Sequence, residues 1–161
     1  MDTLWTPWRY RYITKADPVE GCIFCIKAAE RKDTENYIVY RGKLNFILLN
    51  IFPYTAGHLM IAPYEHVASL QATPDNVSAE MMRLVRQAEA NLRKAYRPDG
   101  LNIGMNVGVS AGAGVADHIH MHVLPRWTGD ANFMSTIGET RVLPEELPVT
   151  YEKLTNLPWD E

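Results

Sequence analysis

No stretch of this sequence is apolar for long enough to cross a membrane, and its N-terminus has no hydrophobic segment of the secretory-signal kind. No basic run exceeds two residues, and sixteen Lys and Arg stand against nineteen Asp and Glu, a net charge of −3. That balance gives duplex DNA or RNA no footing, so neither nucleic acid nor membrane is expected as a partner. Cysteine is scarce. Cys22 and Cys25 are too few for a disulfide scaffold, and their Cys-x-x-Cys spacing suits metal-binding or redox thiols in a reducing, cytoplasmic setting. Internal repeats and low-complexity tracts are missing too. What remains is 161 residues, 47% of them hydrophobic, enough apolar surface for one domain with a sizeable core.

Residues 1–19 read as an aromatic arm, with Trp5, Trp8, Tyr10 and Tyr12 interleaved with arginines. Such an arm packs on the body or a partner subunit, or else stacks a base and holds phosphate. After the turn-prone Asp17-Pro18, residues 26–31 read as a short helix. Strands are predicted over residues 37–40, 44–49, 58–62 and 101–107, punctuated by Gly42, Asn50, Pro63 and Gly108. Between the last two, Thr73 suits a helix N-cap with Pro74 as first helical residue. Val77, Met81, Leu84, Val85, Ala88 and Leu92 then recur at three- and four-residue steps as far as Tyr96, one long amphipathic helix. The tail, residues 128–161, reads as irregular short pieces.

The stretch from Asp117 to Trp127 holds His118, His120 and His122, three of the five histidines, at alternate positions. On a strand these imidazoles line one face while Ile119, Met121 and Val123 enter a core behind them. Pro125, unable to donate to a ladder, should end that strand. Three readings are open: a hydrogen-bonded polar strand face, a His₃ metal site, or catalysis by a neutral imidazole. The small residues from Gly108 to Gly114, just before this run, would let backbone N–H groups approach an anion. Five strands, one long helix and one short helix on hairpin-length links predict an α+β domain on an antiparallel sheet.

The run His118-Ile-His120-Met-His122-Val-Leu resembles the signature of the histidine triad family at all seven positions, alternating His with apolar residues. Asn50-x-x-Pro53-x-x-x-Gly57-His58-x-x-x-x-Pro63-x-x-His66 is similar to the same family, and the likeness spans about residues 20–127. The resemblance implies that His120 is a nucleophile taking a nucleoside monophosphate onto its ring, assisted by His122 and His58. It implies nucleotide binding by Asn50, on the ribose, and by Asn106, Gly112, Gly114, His120 and His122. It also implies a homodimer with one continuous ten-stranded sheet. Leu4-Trp5-Thr6-Pro7, Gly57-His-Leu-Met60 and Arg126-Trp127-x-Gly129-Asp130 look like the bacterial diadenosine tetraphosphate phosphorylase branch, which splits dinucleoside polyphosphates with phosphate. Where many relatives carry Gln and Ser or Thr to meet the leaving group, this chain has Gly112-Ala113-Gly114-Val115. Backbone donors, or Ser110, are left to do that work.

The activity expected is therefore nucleotidyl transfer or hydrolysis, with phosphate or water as acceptor. Hydrolysis of purine nucleoside phosphoramidates, or nucleotide binding with little turnover, are the alternatives. Zinc-bearing members of the family have ligands matching Cys22, Cys25, His66 and His118, two thiolates and two imidazoles suited to a closed tetrahedral structural site. The scheme needs no catalytic metal, and Mg²⁺ arriving with the substrate is compatible with it.

Overall fold

The computed structural model describes residues 21–137 and 143–159. The aromatic arm expected over residues 1–19 lies outside them. Five strands form one antiparallel sheet: β1 (Ile38–Arg41), β2 (Asn45–Leu49), β3 (Leu59–Pro63), β4 (Gly100–Met105) and β5 (Met121–Arg126). They lie in the order β1-β2-β3-β5-β4, so the triad strand runs between β3 and β4. Met60 and Gly104 flank His122 on either side.

Over β2 and β3 the sheet is buried on both faces, and β2 shows how. Ile47 and Leu49 pack on one side with Ile61, Ile119 and Val123; Phe46 and Leu48 pack on the other with Phe24 and Ala62. The first face is covered by the long helix, here designated α3 (Asp75–Tyr96), whose Met81, Leu84, Val85, Ala88 and Leu92 are buried along the expected stripe. The second is covered by α1 (Ile23–Glu30). The triad run alternates across the same division: Ile119 and Val123 enter the core under α3, and the imidazoles face α1.

Several local expectations are corrected. The Cys-x-x-Cys opens α1 instead of preceding it: Cys22 is the N-cap and Cys25 lies in the first turn. Ladder pairing of β5 begins only at Met121, opposite Ile61 and the last residue of β4, Met105; before it the Ile119 amide donates to Val67 in the loop after β3 instead. Pro125 does not end β5; it pairs with Leu101 inside it. Its carbonyl accepts from the Thr55 hydroxyl at 3.0 Å, on the side where β3 has run out, so the missing N–H interrupts no ladder bond. Pro74 is the N-cap of α3, and the Thr73 hydroxyl donates back to the Ser69 carbonyl without capping the helix.

The chain also has more helix than one long and one short. A turn, α2 (Asp33–Asn36), follows α1, a 3₁₀ turn covers Val109–Ala111, and α4 (Phe133–Thr136) follows β5. The tail is not irregular throughout: α5 (Leu147–Thr155) places Leu154 in the main core, and Trp159 follows it. The Trp159 indole N–H donates to the Leu154 carbonyl at 2.9 Å, so the ring is buried with its polar edge satisfied.

Glu80, buried on α3, ties that helix to the β1–β2 turn. Its carboxylate accepts from the Lys43 amide at 2.9 Å, the Leu44 amide at 2.6 Å and the Asn45 side chain at 2.9 Å. Burial alone would raise its carboxyl, but these hydrogen bonds outweigh burial and hold it below the usual carboxylate range. Glu80→Ala strands three donors and should cost on the order of 3 kcal/mol in urea unfolding at neutral pH. Because the folded value is depressed, this stabilisation is complete above about pH 4.3 and is lost as pH falls through the lower folded value. The acid limb of a stability–pH curve should therefore be shallower for Glu80→Gln than for the parent.

Candidate active site

The sheet brings His58 to His120 and His122 although it comes from a separate part of the chain, 64 positions before His122. His58 stands at the start of β3, and its Nε2 lies 2.9 Å from Nδ1 of His122. The His120 and His122 rings meet edge to face, with centroids 4.9 Å apart. Backbone partners assign the tautomers. The Tyr54 amide donates to His58 Nδ1 at 3.2 Å, so the His58 proton sits on Nε2 and is donated to His122 Nδ1. Neutral His122 then keeps its own proton on Nε2. His120 is the reverse: Nδ1–H donates to the His118 carbonyl at 3.0 Å, leaving the Nε2 lone pair bare. Burial lowers His120, and burial with the His120 ring beside it lowers His122 to about 4, so both are neutral near pH 7. A bare lone pair and an N–H donor, side by side and uncharged, can attack an electrophile and hydrogen-bond the charge that develops on it.

His118 takes no part in that pair. Its Nε2–H donates to the Pro63 carbonyl at 2.9 Å, and its Nδ1 turns toward the thiols, 3.3 Å from Cys22 Sγ and 3.6 Å from Cys25 Sγ. His66 Nδ1 lies 3.4 Å from Cys25 Sγ. The donor atoms of Cys22, Cys25, His66 and His118 all lie within 4.8 Å of one another, so these four could hold a metal ion. Among the described residues no other group of three or more such side chains converges this way, and the three triad rings do not form a His₃ site. Phe24, between the two cysteines in sequence, stacks obliquely on both His118 and His120, with centroids 5.2 and 4.8 Å away.

A cavity of about 770 Å³ opens beside His122 and runs along the β4–β5 face to Trp127, Asn132 and Pro144. Asn106 lines it, and its side-chain amide lies 3.4 Å from the Gly112 carbonyl, which joins two of the expected nucleotide-binding positions. Asn50 stands beside His58 at the end of β2, its Oδ1 accepting from the Phe52 amide at 2.9 Å. The small-residue loop is less open to an anion than its composition implies. The amides of Ala111, Gly112 and Ala113 donate within the loop, to the carbonyls of Gly108 and Val109. Gly114 follows, the first of the expected positions whose amide is not used in that turn.

Three contributors are not among the residues the sequence marks for the site. Phe24 lies between two thiols with no signal of its own, and Thr55, which ties the loop before His58 to β5, carries no periodic signal. Asp130 braces the end of the cavity, gripping Arg126 through both oxygens, at 2.5 and 2.8 Å, and accepting from the Trp127 amide at 3.1 Å. An acid four residues after an arginine, across a glycine turn, was the available clue.

Comparison with known proteins agrees with this geometry. The chain is 40% identical, over 154 residues, to the AP-4-A phosphorylase of Mycobacterium tuberculosis, a match covering 91% of this chain and 79% of that one. Its fold matches a zinc-bound histidine triad family protein from Mycobacterium smegmatis with a TM-score of 0.64, at 29% identity, over 83% of this chain and 93% of that one. A histidine triad nucleotide-binding protein from Sulfolobus tokodaii gives the same TM-score at 26% identity, over 84% and 93%. With the HIT domain itself matching residues 31–129, from α1's end through the whole sheet and the triad, the chain belongs to the HIT domain family.

Proposed function

We propose that the protein is a nucleotidyl-transferring enzyme that cleaves dinucleoside polyphosphates of the diadenosine tetraphosphate kind. The observation that carries this reading is the complementary pair of neutral rings, His120 with Nε2 bare and His122 with Nε2 protonated. His120 Nε2 attacks the α-phosphorus, a P–N bond forms, and the P–O bond to the remaining phosphates breaks. Phosphate or water then attacks the nucleotidyl-histidine, restoring the ring and releasing a nucleoside diphosphate or monophosphate. Two easier displacements replace one difficult one. The His122 N–H, oriented by His58, stabilises the charge that builds on the phosphoryl oxygens. The cavity leading from His122 to Trp127 has room for the second nucleotide, which fits a substrate with a nucleoside at each end. The phosphorylase activity of the M. tuberculosis relative supports the same reading.

Zinc is the metal proposed for Cys22, Cys25, His66 and His118. Zn–S near 2.3 Å and Zn–N near 2.05 Å at tetrahedral angles place adjacent S and N ligands about 3.6 Å apart. The observed separations of 3.3, 3.4 and 3.6 Å fit that edge. The Pro63 carbonyl, by taking the Nε2 proton, leaves the Nδ1 lone pair of His118 for the metal. The ion would be structural, holding α1 against the triad run. A homodimer paired along β4 completes the proposal: β4 is an edge strand, and Ile103 on it is exposed.

His120→Ala should lose covalent labelling by adenylate and at least about a thousandfold in turnover, with the fold unchanged by circular dichroism. Labelling that persists would remove His120 as nucleophile. Asn50→Ala should weaken adenosine monophosphate binding by about 1–3 kcal/mol in titration calorimetry, the cost of leaving a ribose hydroxyl unpartnered. An unaltered dissociation constant would take Asn50 off the ribose. Protein purified without chelator should carry close to one zinc per chain by elemental analysis, and Cys22→Ser should lose most of it. Chelation should lower the unfolding midpoint before it slows catalysis.

A further inference from the structure

Tyr96, the last residue of α3, is half-buried at a junction that the mechanism above does not use. A Cβ at Gly57, which has φ +80°, would come within 2.9 Å of the Tyr96 ring, so the turn leading into His58 rests directly on that ring. The ring also meets Trp127 edge to face, with centroids 6.3 Å apart, and Trp127 is a wall of the cavity. The hydroxyl reaches the other way, into the C-terminal segment, and donates to Glu145 Oε1 at 2.5 Å. Glu145 also accepts from Thr150 at 2.8 Å and from Lys153, whose ammonium lies 4.5 Å from the Tyr96 ring centre. Pro144, the residue before Glu145, lines the same cavity as Trp127.

We propose that Tyr96, anchored by Glu145, is a positioning residue that fixes the Trp127 wall of the cavity and through it the seat of the second nucleoside. The proposal rests on the dinucleotide reading above. Burial, with the Glu145 carboxylate beside it, raises the Tyr96 phenol, so the hydroxyl remains a donor throughout the working pH range. Burial would raise Glu145 as well, but the donors Lys153, Tyr96 and Thr150 outweigh it and keep the carboxylate charged. A charge-assisted bond of this kind is stronger than a neutral hydrogen bond and fixes the position of the hydroxyl that makes it. The ring has two jobs with different supports. Close packing under Gly57 holds the turn without the hydroxyl, whereas the wider contact with Trp127 depends on where the ring's long axis points, which the bond from the hydroxyl to Glu145 holds.

Tyr96→Phe separates the two. With diadenosine tetraphosphate as substrate, KM should rise about threefold to tenfold with kcat nearly constant, the sign of a lost ground-state contact. With adenosine 5′-phosphoramidate, which has a single nucleoside, both constants should stay where they were. Glu145→Ala should reproduce the pattern. Asn91→Ala is the structural control: the Asn91 amide donates to the Pro158 carbonyl at 2.8 Å, docking the same tail at its far end without touching the cavity. It should lower the unfolding midpoint yet leave both KM values alone. The Trp127 indole N–H resonance, assigned with Trp127→Phe, should shift in Tyr96→Phe and stay put in Asn91→Ala. Equal KM changes in Tyr96→Phe and Asn91→Ala, equal changes for the two substrates, or an unmoved Trp127 resonance would each overturn the proposal. Should the parent protein turn over no dinucleotide at all, the proposed function falls, and the resonance still decides whether Tyr96 positions Trp127.

Discussion

The hydrogen bond from His120 Nδ1–H to the His118 carbonyl is the contact on which the site depends. A neutral imidazole has one lone pair to offer, and whichever nitrogen carries the proton decides where it points. Here a backbone oxygen two residues upstream takes the decision, and it can do so only while His118 is itself immobile. His118 is held at both ends of its ring, by the Pro63 carbonyl and by the thiols at the start of α1. In the proposed mechanism the three histidines of this run therefore divide into one that braces, one that attacks and one that donates. Phe24 closes the arrangement by lying against the first two rings.

The sheet makes this division possible because its faces have different covers. On one side α3 and α5 supply a broad hydrophobic layer. On the other, among the described residues, one eight-residue helix packs on Phe46, Leu48 and Ala62 through its buried Phe24. Helices that short are marginal without tertiary support. Two thiols at its N-terminus, converging with His66 and His118, are where such support would come from. That face is also the one against which His118 and His120 lie, so bracing the cover and orienting the His120 ring are one structural task.

What the sequence disclosed followed the range of the forces involved. The period-two run from His118 to Val123 and the long stripe of α3 are local patterns, and both were legible in which face each residue takes. Chain ends of elements were less so: β5 runs through Pro125 because β3 is already over on that side, a fact about a neighbouring strand that no window around Pro125 contains. The partnership of Cys22 and Cys25 with His66 and His118 spans nearly a hundred positions, and only likeness to a family could suggest it beforehand. The C-terminal helix hid behind Pro144 and Pro148, although Leu147, Tyr151 and Leu154 keep a helical spacing across it. The bond from Tyr96 to Glu145, just before that helix, was out of reach altogether, since the two are 49 positions apart.

All five residues of β2 are buried, with apolar side chains on both faces. Alternation of polar and apolar residues is what usually tells a strand how far to slide against its neighbour, and Phe46-Ile47-Leu48-Leu49 has none. Shifted by one place, this strand would still present two large apolar side chains to each side. The alignment comes instead from its two ends. Asn45 is caught between the Val77 carbonyl and Glu80, and the Asn50 amide donates to the His58 carbonyl at 2.9 Å. Between those stops only one alignment closes both bonds, and it sets Asn50 beside His58, with the Asn50 side-chain amide 3.4 Å from His58 Nδ1. A strand that contributes no imidazole thus acts as the ruler that brings an amide to one of them.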